Sequence, residues 1–404
     1  MSETIVIIGA GQAGAQAAAS LRQEGFAGTI TLVGEEPVLP YQRPPLSKAY
    51  LEGAFEKSRL FLRPAEFYAK EHIEVKIGAR AAAIDRAQKQ VLLANGEVLL
   101  YDRLLIATGA PSRKLNVPGA ELPGVFTLRS IADSDALRPA LAAEKRLVIV
   151  GGGYIGLEVA AVARKKGLAV TIIEAMDRCL ARVAGVEVSH FYHQLHRGAG
   201  VDVRLGASLS GFAGKGRLEA AIVDGEAIAC GAALVSIGVA PSTNLAEASG
   251  LNVDNGVTVD ETARTNDPSI WAAGDCANFP SPLYGRRMRL ESVPNAIEQA
   301  KAAAANMAGR RTVYDSVPWF WSDQYDVKLQ TAGLSDGADE RLTRGDPRGR
   351  RYAVWYFKDG RLIAVDAMND AAAFLAGKRL IAARASPDRK TLADPAADLK
   401  PLLA

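Results

Sequence analysis

Short, nearly uninterrupted apolar runs punctuate the first 240 positions, and longer stretches of helical periodicity separate them. The runs Thr4-Ile5-Val6-Ile7-Ile8, Ile30-Thr31-Leu32-Val33 and Leu104-Leu105-Ile106-Ala107-Thr108-Gly109 predict strands of one α/β unit closing at Gly109. Leu147-Val148-Ile149-Val150, Val170-Thr171-Ile172-Ile173 and the closing run Ala232-Ala233-Leu234-Val235-Ser236-Ile237-Gly238 repeat the pattern, with a Pro- and Gly-rich linker at 110–124 between the two units. Strands alternating with helices predict two doubly wound parallel sheets. A further apolar run, Ile270-Trp271-Ala272-Ala273-Gly274-Asp275, needs a sheet to join, and an alanine-rich helix is expected over 295–307. The natural home for that strand is the first sheet, which makes the first domain discontinuous. From about 318 the texture becomes aromatic and alternating: Tyr352-Ala353-Val354-Trp355-Tyr356-Phe357 and Leu362-Ile363-Ala364-Val365 flank Lys358-Asp359-Gly360-Arg361, a hairpin signal, and the tail from Ser386 is weakly patterned. The expected division is 1–110 with 241–317, 111–240, and a small α+β domain at 318–404.

Two of the strands run into copies of one glycine signature, 142 positions apart: Gly9-Ala10-Gly11-Gln12-Ala13-Gly14 and Gly151-Gly152-Gly153-Tyr154-Ile155-Gly156. Each reads as strand, tight turn, helix start. The first two glycines let the backbone turn and approach a pyrophosphate, the third lets helix pack on strand, and the helix N-terminus offers unpaired N–H groups to the anion. Glu35 and Glu174 end the following strands, 21 and 18 positions past the third glycines, where a carboxylate accepts hydrogen bonds from an adenosine ribose. Two such sites imply two dinucleotides, and electron traffic between a nicotinamide nucleotide and a flavin.

Charge and cysteine content narrow the field. The net charge of +3 gives no strong pull on nucleic acid, although 284–311 holds six basic residues (Arg286, Arg287, Arg289, Lys301, Arg310, Arg311) against Glu291 and Glu298. The uncharged stretch 4–21 is interrupted by Gly9, Gly11, Gln12, Gly14 and Gln16 and is preceded by Glu3, unlike a signal peptide or membrane span. A soluble, cytoplasmic chain is expected. Cys179, Cys230 and Cys276 are scattered and no CxxC occurs, which argues against disulfide staples and a dithiol relay. His190, His193 and His196 recur every three positions, but on a helix they fan over about 120° and do not converge on a metal.

Several segments together resemble the FAD-dependent NADH:ferredoxin reductases of the putidaredoxin reductase type: Arg43-Pro44-Pro45-Leu46-Ser47-Lys48, Ala107-Thr108-Gly109, residues 151–158, Gly274-Asp275-Cys276-Ala277, Glu291-Ser292-Val293-Pro294-Asn295-Ala296 and Pro318-Trp319-Phe320-Trp321-Ser322-Asp323-Gln324-Tyr325. The resemblance spans residue 4 to about 380. It implies FAD along the first unit, with Gly9, Gly11 and Gly14 at its pyrophosphate, Glu35 on the ribose, and contacts from Ala13, Ala81, Arg43, Thr108 and Arg129. Asp275 would meet the ribitol hydroxyls, the Val293 N–H the flavin pyrimidine edge, and Lys48 the N5 region. NADH would occupy the second unit at Gly151, Gly153, Ile155, Gly156 and Gly238. Glu174 favours NADH over NADPH because a carboxylate repels a 2′-phosphate, tempered by nearby Arg178. Glu158 would orient the nicotinamide carboxamide, Tyr154 would guard the flavin face, and Trp321 with Trp319 would stand where an acidic 2Fe-2S ferredoxin docks transiently, steered by Arg310 and Arg311. On this reading Lys48, Glu158 and Trp321 serve the reaction, no metal is needed, and the enzyme is a monomer or weak dimer supplying a haem monooxygenase or ring-hydroxylating dioxygenase.

Other readings compete with it. An NADH oxidase or peroxidase would need a reactive cysteine near 44–48, where none exists. A monodehydroascorbate-reductase-like enzyme is a further terminal flavoprotein of this kind, and a non-enzymatic NADH-sensing flavoprotein would be expected to carry targeting signals or a long insertion.

Overall fold

The computed structural model describes residues 3–385 and 387–403. The chain forms two compact units, each gathered from separated segments: Met1–Gln42, Lys57–Pro111 and Ala240–Pro318 make one, and Arg43–Glu56, Ser112–Val239 and Trp319–Ala404 the other.

The first unit is built on a parallel five-stranded sheet in the order Ile270–Ala272, Arg103–Ile106, Thr4–Ile8, Thr29–Val33, Ile73–Lys76. The expected late strand does join this sheet, at its edge, pairing Trp271 with Leu105. It is shorter than expected, ending at Ala272, because Gly274 turns the chain at φ +84. Ile5, Ile7, Ile30 and Leu32 are fully buried, each contributing roughly 1.5–3 kcal/mol of transfer free energy. On the sheet lie the helices Gln12–Gln23 and Val293–Met307, which pack on each other through small residues, Ala13, Ala17 and Ala18 sharing a core with Ala300, Ala303 and Ala304. Methyl-sized contacts let two helices approach closely.

One expectation for this unit fails locally. Ala81–Asp85, Gln90–Leu93 and Val98–Leu100 form an antiparallel three-stranded sheet inside what reads as a strand–helix alternation. Val91 and Leu93 are buried while Leu92 is exposed, a period of two carried by too few residues to stand out.

In the second unit a parallel sheet runs Asp202–Leu205, Ala169–Glu174, Arg146–Val150, Ala232–Val235, Val125–Phe126. A second antiparallel insertion, Leu209–Ala213, Ala220–Val223 and Glu226–Ala229, again replaces simple alternation. The C-terminal segment adds an antiparallel five-stranded sheet in the order Trp319–Gln324, Val327–Gly333, Arg361–Met368, Arg351–Lys358, Glu340–Asp346, with the helix Ala371–Ala382 packed on it. The expected hairpin turns at Asp359 and Gly360, both with positive φ. Residues 352–357 are buried on both faces, so the aromatic alternation marks a core strand. The tail has more structure than its pattern shows. Ser386 lies outside the described residues, but beyond it Asp388 caps the short helix Arg389–Ala393, and the buried Arg344 guanidinium donates to the carbonyls of Asp394, Pro395 and Ala397 (2.9 Å for the last).

Candidate active site

Both glycine turns have the predicted form. Gly9 and Gly151 sit at φ +111 and +106, and a Cβ on either would fall 2.1 Å from Ala107 O or 2.3 Å from Ser236 O. Gly14 and Gly156 are equally constrained, a Cβ lying 1.9 and 2.3 Å from the carbonyls of Gly9 and Gly151. The middle glycines differ: among the described residues, chain neighbours aside, nothing lies within 4 Å of a Cβ on Gly11 or Gly153. Each is the N-cap of its helix, Gln12–Gln23 or Tyr154–Lys165, and neither provides a side-chain cap, whereas Ser130, Ser292 and Asp370 cap their own helices. Clear space before an uncapped helix start fits a dinucleotide pyrophosphate, and the fit holds in both units.

The acidic partners behave differently. Glu35 is exposed and loosely paired with Arg80 at 3.7 Å. Glu174 is engaged by its own loops, accepting from the N–H groups of Gly152 (2.7 Å) and Met176 (2.8 Å). Arg178 donates to the carbonyls of Ala181 and Ala184 and to the Ser189 hydroxyl, so its guanidinium is committed within the loop. Gly238 (φ +93) lies beside Arg182, and Ile155 is in the first turn of its helix.

Among the other predicted FAD contacts, Thr108 donates to Ser242 O (2.8 Å), and Arg289 donates to the carbonyl of Asp275 (3.1 Å). Ala13 and Ala81 are buried. Val293 is the first residue of its helix, where an N–H has no intrahelical acceptor. Arg43 donates to Arg129 O (2.6 Å), and the Arg129 N–H donates to Asp133 (2.9 Å), both within the second unit.

Glu158 is the hub of that unit. The helix buries it to 4% exposure, and its carboxylate receives Lys48 Nζ at 2.9 Å, the Ser47 hydroxyl, and the Ser322 hydroxyl at 2.7 Å. The 3-10 turn Pro44–Ser47 delivers two of these donors, pinned by Ser134 Oγ donating to Leu46 O (3.1 Å). A solvated helix glutamate is thereby ruled out for Glu158. Tyr154, one turn earlier, packs at a tilt against Phe320 with centroids 4.6 Å apart, and burial pushes its hydroxyl well above the ordinary tyrosine range. Trp321 lies 5.6 Å from Trp319, over which Lys378 sits at 4.9 Å.

Sequence reasoning gave Ser47, Ser322, Gln324 and His196 no such role. Their signal was available only in part: Ser322 and Gln324 point the same way on the strand, two polar side chains on a buried face. The histidines do not converge. His190 is exposed, His193 half-buried, and His196 fully buried and bonded to Gln324 at 2.9 Å. Much of the basic stretch is ion-paired within its own unit: Arg310 pairs with Glu24, Arg311 with Glu261, Arg289 with Glu291 and Lys301 with Glu298, and Arg287 donates to carbonyls. Glu291 and Glu298 belong to the stretch itself, whereas Glu24 and Glu261 come from distant positions.

Residues 3–300 match the pyridine nucleotide-disulphide oxidoreductase family, and 319–403 match the reductase C-terminal family. Rhodocoxin reductase of Rhodococcus erythropolis is 45% identical over 399 residues, 98% of this chain and 93% of its own. The chain belongs to the pyridine nucleotide-disulphide oxidoreductases. Within that family it is of the putidaredoxin reductase type. The solved covalent putidaredoxin reductase–putidaredoxin complex matches at 41% identity with a TM-score of 0.96, covering 99% of this chain and 98% of that one. A ferredoxin reductase for the CYP199A2 system from Rhodopseudomonas palustris matches at 42% identity and TM-score 0.97 over the full length of both. No helix among the described residues is long and apolar enough to cross a membrane.

Proposed function

We infer that this oxidoreductase carries electrons from NADH through FAD to a 2Fe-2S ferredoxin, which serves a haem monooxygenase or a ring-hydroxylating dioxygenase. The observation that carries the reading is the pair of glycine cradles, each open at its middle glycine. When bound, FAD accepts a hydride equivalent from NADH and releases its two electrons singly, as a one-electron iron–sulfur carrier requires.

The residues divide the remaining work. Gly9, Gly11 and Gly14 with Glu35 hold FAD, and Ala13, Arg43, Ala81, Thr108, Arg129, Asp275 and Val293 contact it. Gly151, Gly153, Ile155, Gly156 and Gly238 hold NADH, and Glu174 reads its ribose. The commitment of Arg178 to loop oxygens supports a preference for NADH, since that guanidinium is not held ready for a 2′-phosphate. Glu158 orients the nicotinamide carboxamide, Lys48 stands beside the flavin N5 region and Tyr154 guards the flavin face, and holding two rings in place while excluding water is how a protein accelerates transfer between them. Trp321 and Trp319 form the acceptor side. The reading keeps three functional domains, 1–110 with 241–317, 111–240, and 318–404, and a cytoplasmic protein.

Stopped-flow mixing of the yellow protein with NADH tests it: rapid bleaching followed by reoxidation on adding a 2Fe-2S ferredoxin is expected. A protein that binds no flavin, or that reoxidises only with oxygen or peroxide, would falsify the reading.

A further inference from the structure

Beyond Glu158 the hydrogen bonds continue. Ser322 Oγ lies 2.7 Å from Glu158 Oε1, Gln324 Nε2 lies 3.1 Å from Ser322 Oγ, Gln324 Oε1 lies 2.9 Å from His196 Nε2, and the Tyr325 hydroxyl lies 3.3 Å from His196 Nδ1. All five residues belong to the second unit, and all but Tyr325 are at most 4% exposed.

The direction of every bond follows from its end. A carboxylate only accepts, so the single hydroxyl proton of Ser322 is given to Glu158, leaving Ser322 Oγ to accept from its other neighbour. Gln324 must then turn its amide NH2 toward Ser322 and its carbonyl toward His196. That carbonyl only accepts, so His196 carries its proton on Nε2. Burial holds the imidazole neutral, its pKa lowered to about 4, and Nδ1 is left to accept from Tyr325. The far end is anchored at some cost: Tyr325 adopts φ +54, where non-glycine residues are uncommon, and its ring stands 5.1 Å from His196.

We propose that His196 is a positioning residue for Glu158, acting through Gln324 and Ser322 as a one-way hydrogen-bond chain that fixes the carboxylate in the orientation used for nicotinamide reduction of the flavin. This rests on the functional reading above. The chain does not conduct protons, because an amide passes a proton only through its imidic acid form. Its product is geometry: a carboxylate whose Oε1 is held from one side by Ser322 and whose Oε2 is held from the other by Ser47 and Lys48.

Two independent readouts test the chain. The protein contains four histidines, so 15N-histidine labelling resolves the ring of each, and His196→Gln assigns the signal that disappears. The parent and Ser322→Thr should show His196 as a single Nε2–H tautomer, and Ser322→Ala a mixture of tautomers, because Gln324 is then free to flip. In single-turnover reduction by NADH, Ser322→Ala should be about tenfold slower, the loss expected for one hydrogen bond to a charged group, with NADH affinity changed less than about twofold. Ser322→Thr should restore the parent rate. An Nδ1–H tautomer in the parent overturns the chain, and an unchanged rate in Ser322→Ala overturns its role in reduction. The tautomer measurement needs no cofactor, so failure of the NADH–FAD reading would leave it standing and be recognised separately.

Discussion

Lys48 Nζ lies 2.9 Å from Glu158 Oε2, joining the residue that ends the 3-10 turn Pro44–Ser47 to the helix that follows the second glycine turn. Neither residue is freely solvated, at 18% and 4% side-chain exposure. An ion pair this far from water is expensive to break from one side, because the abandoned charge stays buried. Lys48→Met should therefore cost about 3 kcal/mol of stability in urea unfolding and slow reduction by NADH. An equal loss from Lys48→Met and from the double variant Lys48→Met/Glu158→Gln would contradict the pairing.

Glu174 has two tasks, and replacing it should expose both. Glu174→Ser removes the repulsion against a 2′-phosphate, so the kcat/KM ratio of NADPH to NADH should rise about tenfold or more. It also strands the buried N–H of Gly152, while the exposed N–H of Met176 passes to water, which should lower stability by about 1–3 kcal/mol. Unchanged nucleotide selectivity would show that another group reads the ribose.

Asp366 makes stability fall with rising pH. It is buried and takes a hydrogen bond from Tyr356 at 2.9 Å, and burial, with Glu187 nearby, raises its pKa from 3.8 to about 7. Between those values the folded protein binds one proton more than the unfolded chain, so the group penalises folding progressively as pH rises and fully above about 7. Asp366→Asn should be more stable than the parent at pH 8, by an amount on the order of 1–4 kcal/mol, and should lose most of that advantage at pH 5. Urea unfolding at the two pH values checks this, and a constant difference would sink it.

Arg344 ties the tail to the C-terminal sheet through three carbonyls beyond position 393. Arg344→Met should leave those acceptors to water and free the segment 388–403. Limited trypsin digestion should cut the variant in that segment at least about tenfold faster, the equivalent of 1.4 kcal/mol of local stability. Equal cleavage rates would mean that the tail is held by other contacts.

Much of the fold was legible because its signals are local. The glycine turns, the acids ending the next strands and the hairpin at 358–361 are short-range patterns whose physics acts within a few residues. The late strand at 270–272 could be assigned to the first sheet because so apolar a segment has few other places to go. The two antiparallel insertions were missed because strands of three to five residues carry too little periodicity. The environment of Glu158 was not legible, since Ser47, Ser322, Gln324 and His196 meet it only through tertiary structure. The pairing of Arg310 with Glu24 was hidden for the same reason, being between residues 286 positions apart.

On the proposed function, the two electrons of one nicotinamide leave singly on two one-electron carriers. Anaerobic titration of the flavin-loaded protein with NADH in the presence of excess 2Fe-2S ferredoxin tests it directly. The account predicts two ferredoxins reduced for each NADH consumed. NADH consumption that leaves ferredoxin oxidised and begins only when oxygen or peroxide is admitted would contradict it.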